Sequence, residues 1–431
     1  MSSDVDVART RRFRFDVGLM AASKVLGLLF NLGITIVLAR ELGPDGRGIV
    51  AVALSLTLIL IQVGSLGIAS ANPYFIARDV TMRTSIVTNS VWLALGLGAS
   101  LIALGAAVRI GFPGVVAGVS WREMLIALAC IPASLLSVFL QGALLGLGRT
   151  IAYNLIEIGQ AAVSLVVLLI VLRVGHGGVM GALLTLTGGA VLGAAVYAMV
   201  LRRDIRVVVG PDLGLVRKMA RYAVRIYVAT LLAFLVIRLD LLLVNYYLGT
   251  AQAGIYSVAA AMAAGMYVFP AAVGVNLFPR VARGSEGELS ARVFRVVACL
   301  FAIACAAAAP VAGPAINLLY GSRFAAATTL FYWLLPGIFC LGMLTVLSHH
   351  FAGRGFPRKA MLVWLVGLGV NLILNFTLLP KYGTYIAPLA SSIAYGILLI
   401  LHIRMFAEES GGYGVLLPRS SDFSFRTPRS A

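Results

Sequence analysis

The chain has 431 residues, of which 61% are hydrophobic and 12% are charged, and its net charge is +18. Because a soluble domain is about 45–50% apolar and about 25% charged, this composition excludes an ordinary soluble protein. The basic residues lie in short connections between apolar runs, which favours a role in setting membrane topology. No soluble basic face is predicted that could bind a nucleic acid.

In chain order, the apolar runs predict an all-α polytopic membrane protein with about twelve transmembrane helices. About 20 residues are needed to cross roughly 30 Å of hydrocarbon, and each run is at least that long. The first run follows a basic segment and predicts an uncleaved signal anchor. The predicted spans are 17–39, 48–71, 84–108, 121–146, 152–173, 178–201, 222–248, 254–278, 292–318, 327–352, 357–380 and 385–407.

The distribution of Lys and Arg predicts the orientation and the domains. The side of the membrane that holds the termini carries 25 of these residues and the other side carries seven, which predicts cytoplasmic termini. We predict four regions along the chain. They are an N-terminal six-helix bundle (1–203), a cytoplasmic linker (204–221), a C-terminal six-helix bundle (222–407) and a disordered cytoplasmic tail (408–431).

Two segments 206 residues apart indicate an internal repeat. LGPDGRGIVAVA (42–53) and LGTAQAGIYSVA (248–259) agree at six of twelve positions, and the pairs Gly148-Arg149 and Gly353-Arg354 lie 205 residues apart. Six spans per repeat keep both halves in one orientation, which predicts a pseudo-two-fold axis along the membrane normal. Such repeats are typical of transporters that work by alternating access.

Several of these segments resemble the polysaccharide flippases of the multidrug/oligosaccharidyl-lipid/polysaccharide exporter superfamily. The resemblance is carried by ARELGPDGRGIVAVALSL, by RLDLLLVNYYLGTAQAGIYSVAAAMA and by GRGFPRKAMLVWLVGLGVNLILNFTLLPKYG (353–383). It implies a V-shaped pair of six-helix bundles that flips undecaprenyl-pyrophosphate-linked oligosaccharide from the cytoplasmic to the periplasmic leaflet of the bacterial inner membrane.

The same resemblance implies a role in exopolysaccharide, capsule or O-antigen biosynthesis, with membrane lipids, a polymerase and glycosyltransferases as partners. It implies no cofactor and leaves an ion gradient as a driving force. Two alternatives stay open at this point, a cation-coupled multidrug exporter of the same superfamily and a non-transporting scaffold of polysaccharide synthesis. An enzyme is not predicted, because the connections are too short for a catalytic domain and no Walker or metal-protease motif is present.

Four ionisable residues within the spans are the first candidates for a functional site, since charges at membrane depth are costly. Lys24 and Arg238 lie in equivalent spans of the two halves and suit an anionic cargo, although Lys24 also has the stem to snorkel to the interface. Asp240 cannot face Arg238 two residues away on a helix. It therefore needs another partner, either as a coupling carboxylate or as a structural charge. Glu157 is predicted as an ion-coupling or interfacial carboxylate.

Other polar residues have weaker claims. Arg225 is a candidate at the mouth of the cavity, or a member of the positive-inside set. Asn31 is a candidate sugar contact, or an interhelical hydrogen bonder like Asn89, Gln141, Gln160 and Asn371. No metal site is predicted, because adjacent histidines at 349 and 350 do not share a helix face and the four cysteines lie in apolar runs.

Overall fold

A computed structural model describes residues 2–202, 210–284, 287–355, 357–417, 419 and 422. Within these ranges, the side chains are described from Val25 onward, except those at 225 and 358. The described residues form thirteen α-helices and five short 3₁₀ or π segments, without a strand. The helices are α1 (Ser2–Gly64), α2 (Ile68–Arg78), α3 (Arg83–Gly111), α4 (Trp121–Ala129), α5 (Ile131–Gly146), α6 (Thr150–Leu169), α7 (Gly178–Leu201), α8 (Leu213–Leu248), α9 (Thr250–Ala282), α10 (Gly287–Tyr320), α11 (Ala327–Gly353), α12 (Arg358–Tyr382) and α13 (Ile386–Ser410).

Eleven helical stretches in the described part of the chain are long and apolar enough to cross a membrane. The first of them, Val25–Gly64, is 40 residues long and contains a break at Gly43, which Pro44 follows. Since about 20 residues suffice for one crossing, this stretch holds the first two predicted spans. The prediction of an all-α protein with about twelve transmembrane helices is therefore confirmed.

The chain forms two compact units, an N-terminal unit (Met1–Tyr227) and a C-terminal unit (Val228–Ala431). The division falls inside α8, whereas the sequence predicted a linker at 204–221. Residues 204–209 of that linker lie outside the described residues, and from Leu213 onward the chain is helical. The Asn89 amide of α3 fixes the start of α8, because its Nδ2 donates to the Asp212 carbonyl (3.1 Å) and its Oδ1 accepts from the Asp212 N–H (2.7 Å).

The two units share a turn with the same backbone geometry. Gly43 has φ 67° and ψ −176° before the second helical segment of α1, and Gly249 has φ 83° and ψ 177° before α9. Such a combination is essentially restricted to glycine. The two glycines are 206 residues apart, so the geometry supports the repeat at the register read from the sequence.

The second sequence anchor of the repeat needs a correction. Gly146 is the last residue of α5, and Gly353 is the last residue of α11. Two residues later, Gly148 and Gly355 both adopt positive φ, at 71° and 88°. The equivalent positions are therefore 207 residues apart, and the predicted pairing of Gly148 with Gly353 was wrong by two residues. Two glycines at each helix end made both registers look alike in the sequence.

In each unit, one central helix packs on three others. In the N-terminal unit, α5 packs on α2, α3 and α7, and α1 packs on α6. In the C-terminal unit, α11 packs on α9, α10 and α13, and α12 packs on α13. The last glycine of each central helix permits the close approach. A Cβ at Gly146 would lie 2.8 Å from the Ile76 Cβ of α2, and one at Gly353 would lie 2.9 Å from the Val281 Cβ of α9.

The described part of the C-terminal tail is folded, whereas the sequence predicted disorder from residue 408. Helix α13 continues to Ser410, and Tyr413–Leu416 form a 3₁₀ turn that packs on α10 and α13. Asp422 is buried and forms a salt bridge with Arg295 of α10. A partner 127 residues away supplies the stabilisation that the polar composition of the tail did not indicate.

Candidate functional site

Two charged residues of α8 lie near the middle of its membrane span, Ile226–Leu248, and face different surroundings. Asp240 is buried, with 1% of its surface exposed, while Arg238 is exposed on the surface of the protein and its guanidinium carbon lies 5.7 Å from the centre of the Phe234 ring. Among the described residues, neither forms a salt bridge with the other. This is the arrangement expected for residues at i and i+2 of a helix, which do not face each other.

The Asp240 carboxylate accepts hydrogen bonds from three other helices of the C-terminal unit. Asn375 Nδ2 of α12 donates to Oδ1 at 3.1 Å, and the Tyr256 hydroxyl of α9 donates to Oδ2 at 3.2 Å. The Ser391 hydroxyl of α13 also donates to Oδ2. We call Asp240, Tyr256, Asn371, Asn375 and Ser391 the Asp240 cluster.

A second layer of hydrogen bonds within the cluster orients these donors. Asn375 Nδ2 also donates to the Asn371 carbonyl (2.9 Å) and to Asn371 Oδ1 (3.3 Å), since the two residues are one helical turn apart. Asn371 Nδ2 lies 3.4 Å from the Ser391 hydroxyl, to which it donates. Both asparagines are fully buried. The cluster is therefore an ordered polar site inside an apolar helical unit.

The chemistry of the Asp240 cluster is unusual for a structural contact, because its carboxylate is surrounded by neutral groups. No cationic side chain in the described part of the chain lies within salt-bridge distance of Asp240. Burial of an unpaired carboxylate costs several kcal/mol. A proton or a small cation would remove that cost, and oxygen atoms are the ligands that hard cations prefer. Asn375 presents its Nδ2 to the carboxylate, while its Oδ1 is buried and has no hydrogen-bond partner among the described atoms.

The N-terminal unit contains a different and smaller polar contact around Glu157 of α6. Gln141 Nε2 of α5 donates to Glu157 Oε1 at 2.9 Å, and the Tyr197 hydroxyl of α7 donates to the same oxygen at 3.3 Å. Glu157 is half-buried, while Tyr197 is fully buried. The contact joins three helices, so Gln141 acts as the interhelical hydrogen bonder that the sequence predicted, and Glu157 is its acceptor.

The Asn31 side chain belongs to neither cluster, and the side chains of two further predicted site residues are not described. Asn31 is exposed, and its amide donates to the Gly27 carbonyl of its own helix at 2.8 Å. Lys24 and Arg225 lie in α1 and α8, but their side chains lie outside the described residues. The described part of the chain contains no group of three or more His, Cys, Asp or Glu residues placed to hold a metal ion.

Sequence reasoning identified Asp240 but missed most of its partners. Asn375 stood out only as part of a family-like segment, although its position four residues after Asn371 is a signal for one shared helix face. Ser391 and Tyr256 carried no signal of their own. Their importance depends on which helices pack beside α8, and that information is not present in local spacing.

Two solved structures share the fold of this chain. An inward-facing multidrug resistance MATE family transporter of the MOP superfamily matches with a TM-score of 0.72 and 15% identity, over 89% of this chain and 94% of that one. The lipid II flippase MurJ, in an inward closed conformation, matches with a TM-score of 0.71 and 13% identity, over 90% of this chain and 87% of that one.

A third match is a MOP superfamily transporter from Pyrococcus furiosus whose binding pocket has reversed polarity. Its TM-score is 0.67, with 16% identity over 91% of this chain and 94% of that one. Identities this low establish the fold alone. The molecule is thus a multi-pass membrane protein with the fold of MOP-superfamily transporters.

The sequence family is more specific. The model of the family described as polysaccharide biosynthesis protein matches residues 15–285, which is more than half of the chain, and the chain belongs to this family. An uncharacterized membrane protein of Methanocaldococcus jannaschii is 27% identical over 191 residues, or 38% of this chain. The match spans 41% of the length of that relative.

Proposed function

We propose that this protein translocates undecaprenyl-pyrophosphate-linked oligosaccharide from the cytoplasmic to the periplasmic leaflet of a bacterial inner membrane. The observation that carries the proposal is membership of the polysaccharide biosynthesis family in a chain with the fold of MOP-superfamily transporters. Membrane lipids surround this cargo, and glycosyltransferases and a polymerase are the partners that would make and consume it. Both termini face the cytoplasm in this proposal.

Arg238 is the proposed contact for the anionic head of the cargo. It is exposed on the surface of the C-terminal unit, lies on α8 well inside a membrane span, and has no carboxylate partner among the described residues. A guanidinium in this situation is available for a phosphate, which it binds through two parallel hydrogen bonds. Lys24 and Arg225 are proposed as further cationic contacts, and Asn31 as a sugar contact.

The Asp240 cluster is the proposed coupling site. A buried carboxylate with only neutral partners favours the uptake of a proton or a sodium ion, and its occupancy would change the hydrogen bonds that join α8, α9, α12 and α13. A change in these contacts is a physical link between an ion gradient and helix movement. Glu157 is proposed as a secondary coupling carboxylate in the N-terminal unit.

Translocation is tested with purified protein in liposomes that contain a fluorescent, nitrobenzoxadiazole-labelled undecaprenyl-pyrophosphoryl sugar. Dithionite quenches only the outer leaflet, so active protein makes the inner-leaflet probe accessible. Protein-free liposomes and liposomes with the Arg238→Gln variant should retain the protected fraction, while Arg404→Gln, at an exposed surface ion pair of α13, should not. Ethidium efflux without flipping of the probe would instead establish the multidrug exporter, and neither activity would support a scaffold.

Coupling is tested by imposing a sodium gradient or a pH gradient in the same liposomes. Asp240→Asn should remove the response to the driving gradient and reduce flipping at least tenfold, because the amide neither ionises nor binds a cation strongly. Glu408→Gln removes an exposed carboxylate from the same unit and should keep the full response. An Asp240→Asn protein that responds to the gradient like the wild type would exclude the Asp240 cluster as the coupling site.

A further inference from the structure

Arg295 on α10 is a buried charge whose neutralisation depends on the far end of the chain. Its side chain is 2% exposed. Nε donates to Asp422 Oδ2 at 2.8 Å and Nη2 donates to Asp422 Oδ1 at 2.7 Å, which is the bidentate geometry of a strong guanidinium–carboxylate pair. Nη1 donates to the Val415 carbonyl. Glu288, in the first turn of α10, accepts from Nη2 at 3.0 Å.

The tail residues around Asp422 are held by further bonds. The Arg419 N–H donates to Asp422 Oδ2 (2.8 Å), and Arg419 Nη1 donates to Glu288 Oε1 (3.2 Å). Arg292 Nη2 donates to the Asp422 carbonyl at 3.2 Å. We call the described residues from Tyr413 to Asp422 the C-terminal clasp. The clasp connects the start of α10 to the end of α13, which directly precedes it.

A neighbouring group of contacts extends this connection to a third helix. The Ser290 hydroxyl of α10 lies 2.8 Å from His350 Nδ1 of α11. Glu409 of α13 lies 3.6 Å from His350 Nε2 and 3.5 Å from Arg354 Nη1. The beginning of α10 and the ends of α11 and α13 are thus fixed together at one end of the C-terminal unit, beside the clasp.

The clasp depends on the negative charge of Asp422, which is present at neutral pH. Hydrogen bonding to Arg295 lowers the pKa of Asp422 from 3.8 to about 2, so its carboxylate is ionised under physiological conditions. The stability that this group contributes is present above its ordinary pKa and is lost as the pH falls toward 2. Without Asp422, Glu288 would be the one anionic partner left to the buried guanidinium among the described residues, and half of the Glu288 side chain is exposed.

We propose that the C-terminal clasp is a releasable strap that holds the first turns of α10 against α13 and thereby slows the conformational cycle of the C-terminal unit. Closed, it gives the Arg295 guanidinium its carboxylate and fixes the described residues of the clasp on α10. Open, it leaves the Arg295 guanidinium without its bidentate carboxylate and with the half-exposed Glu288 as its described partner, and the first turns of α10 shift to hydrate the charge. The effect on transport rests on the proposed function, while the strap itself does not.

Limited trypsin digestion at pH 7.5 tests the strap directly, since a closed clasp, which holds the Arg419 N–H on Asp422, should protect the bond after Arg419. Asp422→Asn should increase cleavage after Arg419 at least tenfold and increase hydrogen exchange in the first turns of α10. Glu408→Gln removes an exposed carboxylate just before the clasp, and trypsin should cleave this variant at the same rate as the wild type. Wild-type protection in Asp422→Asn, or an equal increase in cleavage throughout residues 2–202, would overturn the proposal.

A second variant separates release of the clasp from misfolding. The double variant Arg295→Met with Asp422→Leu replaces the buried ion pair with apolar side chains, an exchange that is often neutral or stabilising. It should restore protection after Arg419 to near the wild-type level, whereas Asp422→Leu alone should be cleaved like Asp422→Asn. If the double variant is cleaved as fast as the single one, the ion pair is not what attaches the tail.

Flipping of the labelled prenyl-pyrophosphoryl probe then tests the brake. Asp422→Asn should raise the initial rate at least threefold, and the double variant should return it to the wild-type rate. An unchanged or lower rate in a variant whose clasp is open by trypsin digestion would overturn the brake. If the wild type itself does not flip the probe, the proposed function fails, while the digestion results still decide whether the strap exists.

Discussion

The N-terminal and C-terminal units share their turns but differ in what they bury. Gly43 and Gly249 place the same sharp turn at equivalent positions. At the same offset of 206 residues, however, Asp240 corresponds to Ile34 and Tyr256 corresponds to Val50, both apolar and buried. The repeat therefore preserves the backbone, while the buried carboxylate belongs to one unit. Polar chemistry in a duplicated membrane scaffold needs its own explanation in each half.

The largest effect is expected from placing a carboxylate in the N-terminal unit at the position equivalent to Asp240. Ile34→Asp would bury a carboxylate without the hydroxyl and amide donors that surround Asp240. We expect a loss of about 3–5 kcal/mol, the range for an uncompensated buried charge, seen as a lower Tm and a lower yield of monodisperse protein in detergent.

Two controls accompany this variant. Ile34→Val tests the site without a charge and should cost about 0.5–1.5 kcal/mol. Asp240→Ile is the reciprocal exchange and should cost about 1–3 kcal/mol, because it leaves buried donors without an acceptor. An Ile34→Asp protein with the Tm of Ile34→Val would contradict the view that the polar partners make the difference between the units.

The shared turns provide the next largest effect. Gly43→Ala and Gly249→Ala each force a side chain into backbone angles that only glycine adopts readily, so each should cost about 1–3 kcal/mol. The free energy of unfolding of purified protein measures this loss. Gly265→Ala is the matched control, since it lies inside α9 with open space around a Cβ and alanine is favoured over glycine there by up to about 1 kcal/mol. A cost at one turn but not at the other would show that the two turns are not energetically equivalent.

The sequence was sufficient for features that depend on local periodicity. Apolar runs of adequate length identified the spans, and the two-residue separation of Arg238 and Asp240 showed that they face apart. The repeat at 42–53 and 248–259 could be found because its sequence motif recurs, while the turn at its glycines came from the structure. The wrong register for Gly353 shows the limit of this approach, since two glycines near a helix end fit two offsets equally well.

Long-range partners could not be derived in the same way. Asn375 and Ser391 lie 135 and 151 residues from Asp240 along the chain, and only the packing of α8 beside α12 and α13 makes them its hydrogen-bond donors. The same reason applies to Asp422, which sits in a polar tail whose composition is typical of disorder. The buried guanidinium of Arg295 on α10 pairs with Asp422 and orders this part of the tail.

The smallest expected effect concerns Glu157, and it decides how far the difference between the units extends. Glu157→Gln keeps an oxygen that accepts from Gln141 and removes a half-buried charge, so the loss of stability should be about 1 kcal/mol, as for one ordinary hydrogen bond. Flipping driven by an ion gradient should fall far less than in Asp240→Asn, with Glu408→Gln as the control. If Glu157→Gln instead abolishes the response to the gradient, Glu157 is a coupling carboxylate as important as Asp240 rather than a secondary one. The duplicated scaffold would then have acquired two ion sites at unrelated positions, α8 in one half and α6 in the other.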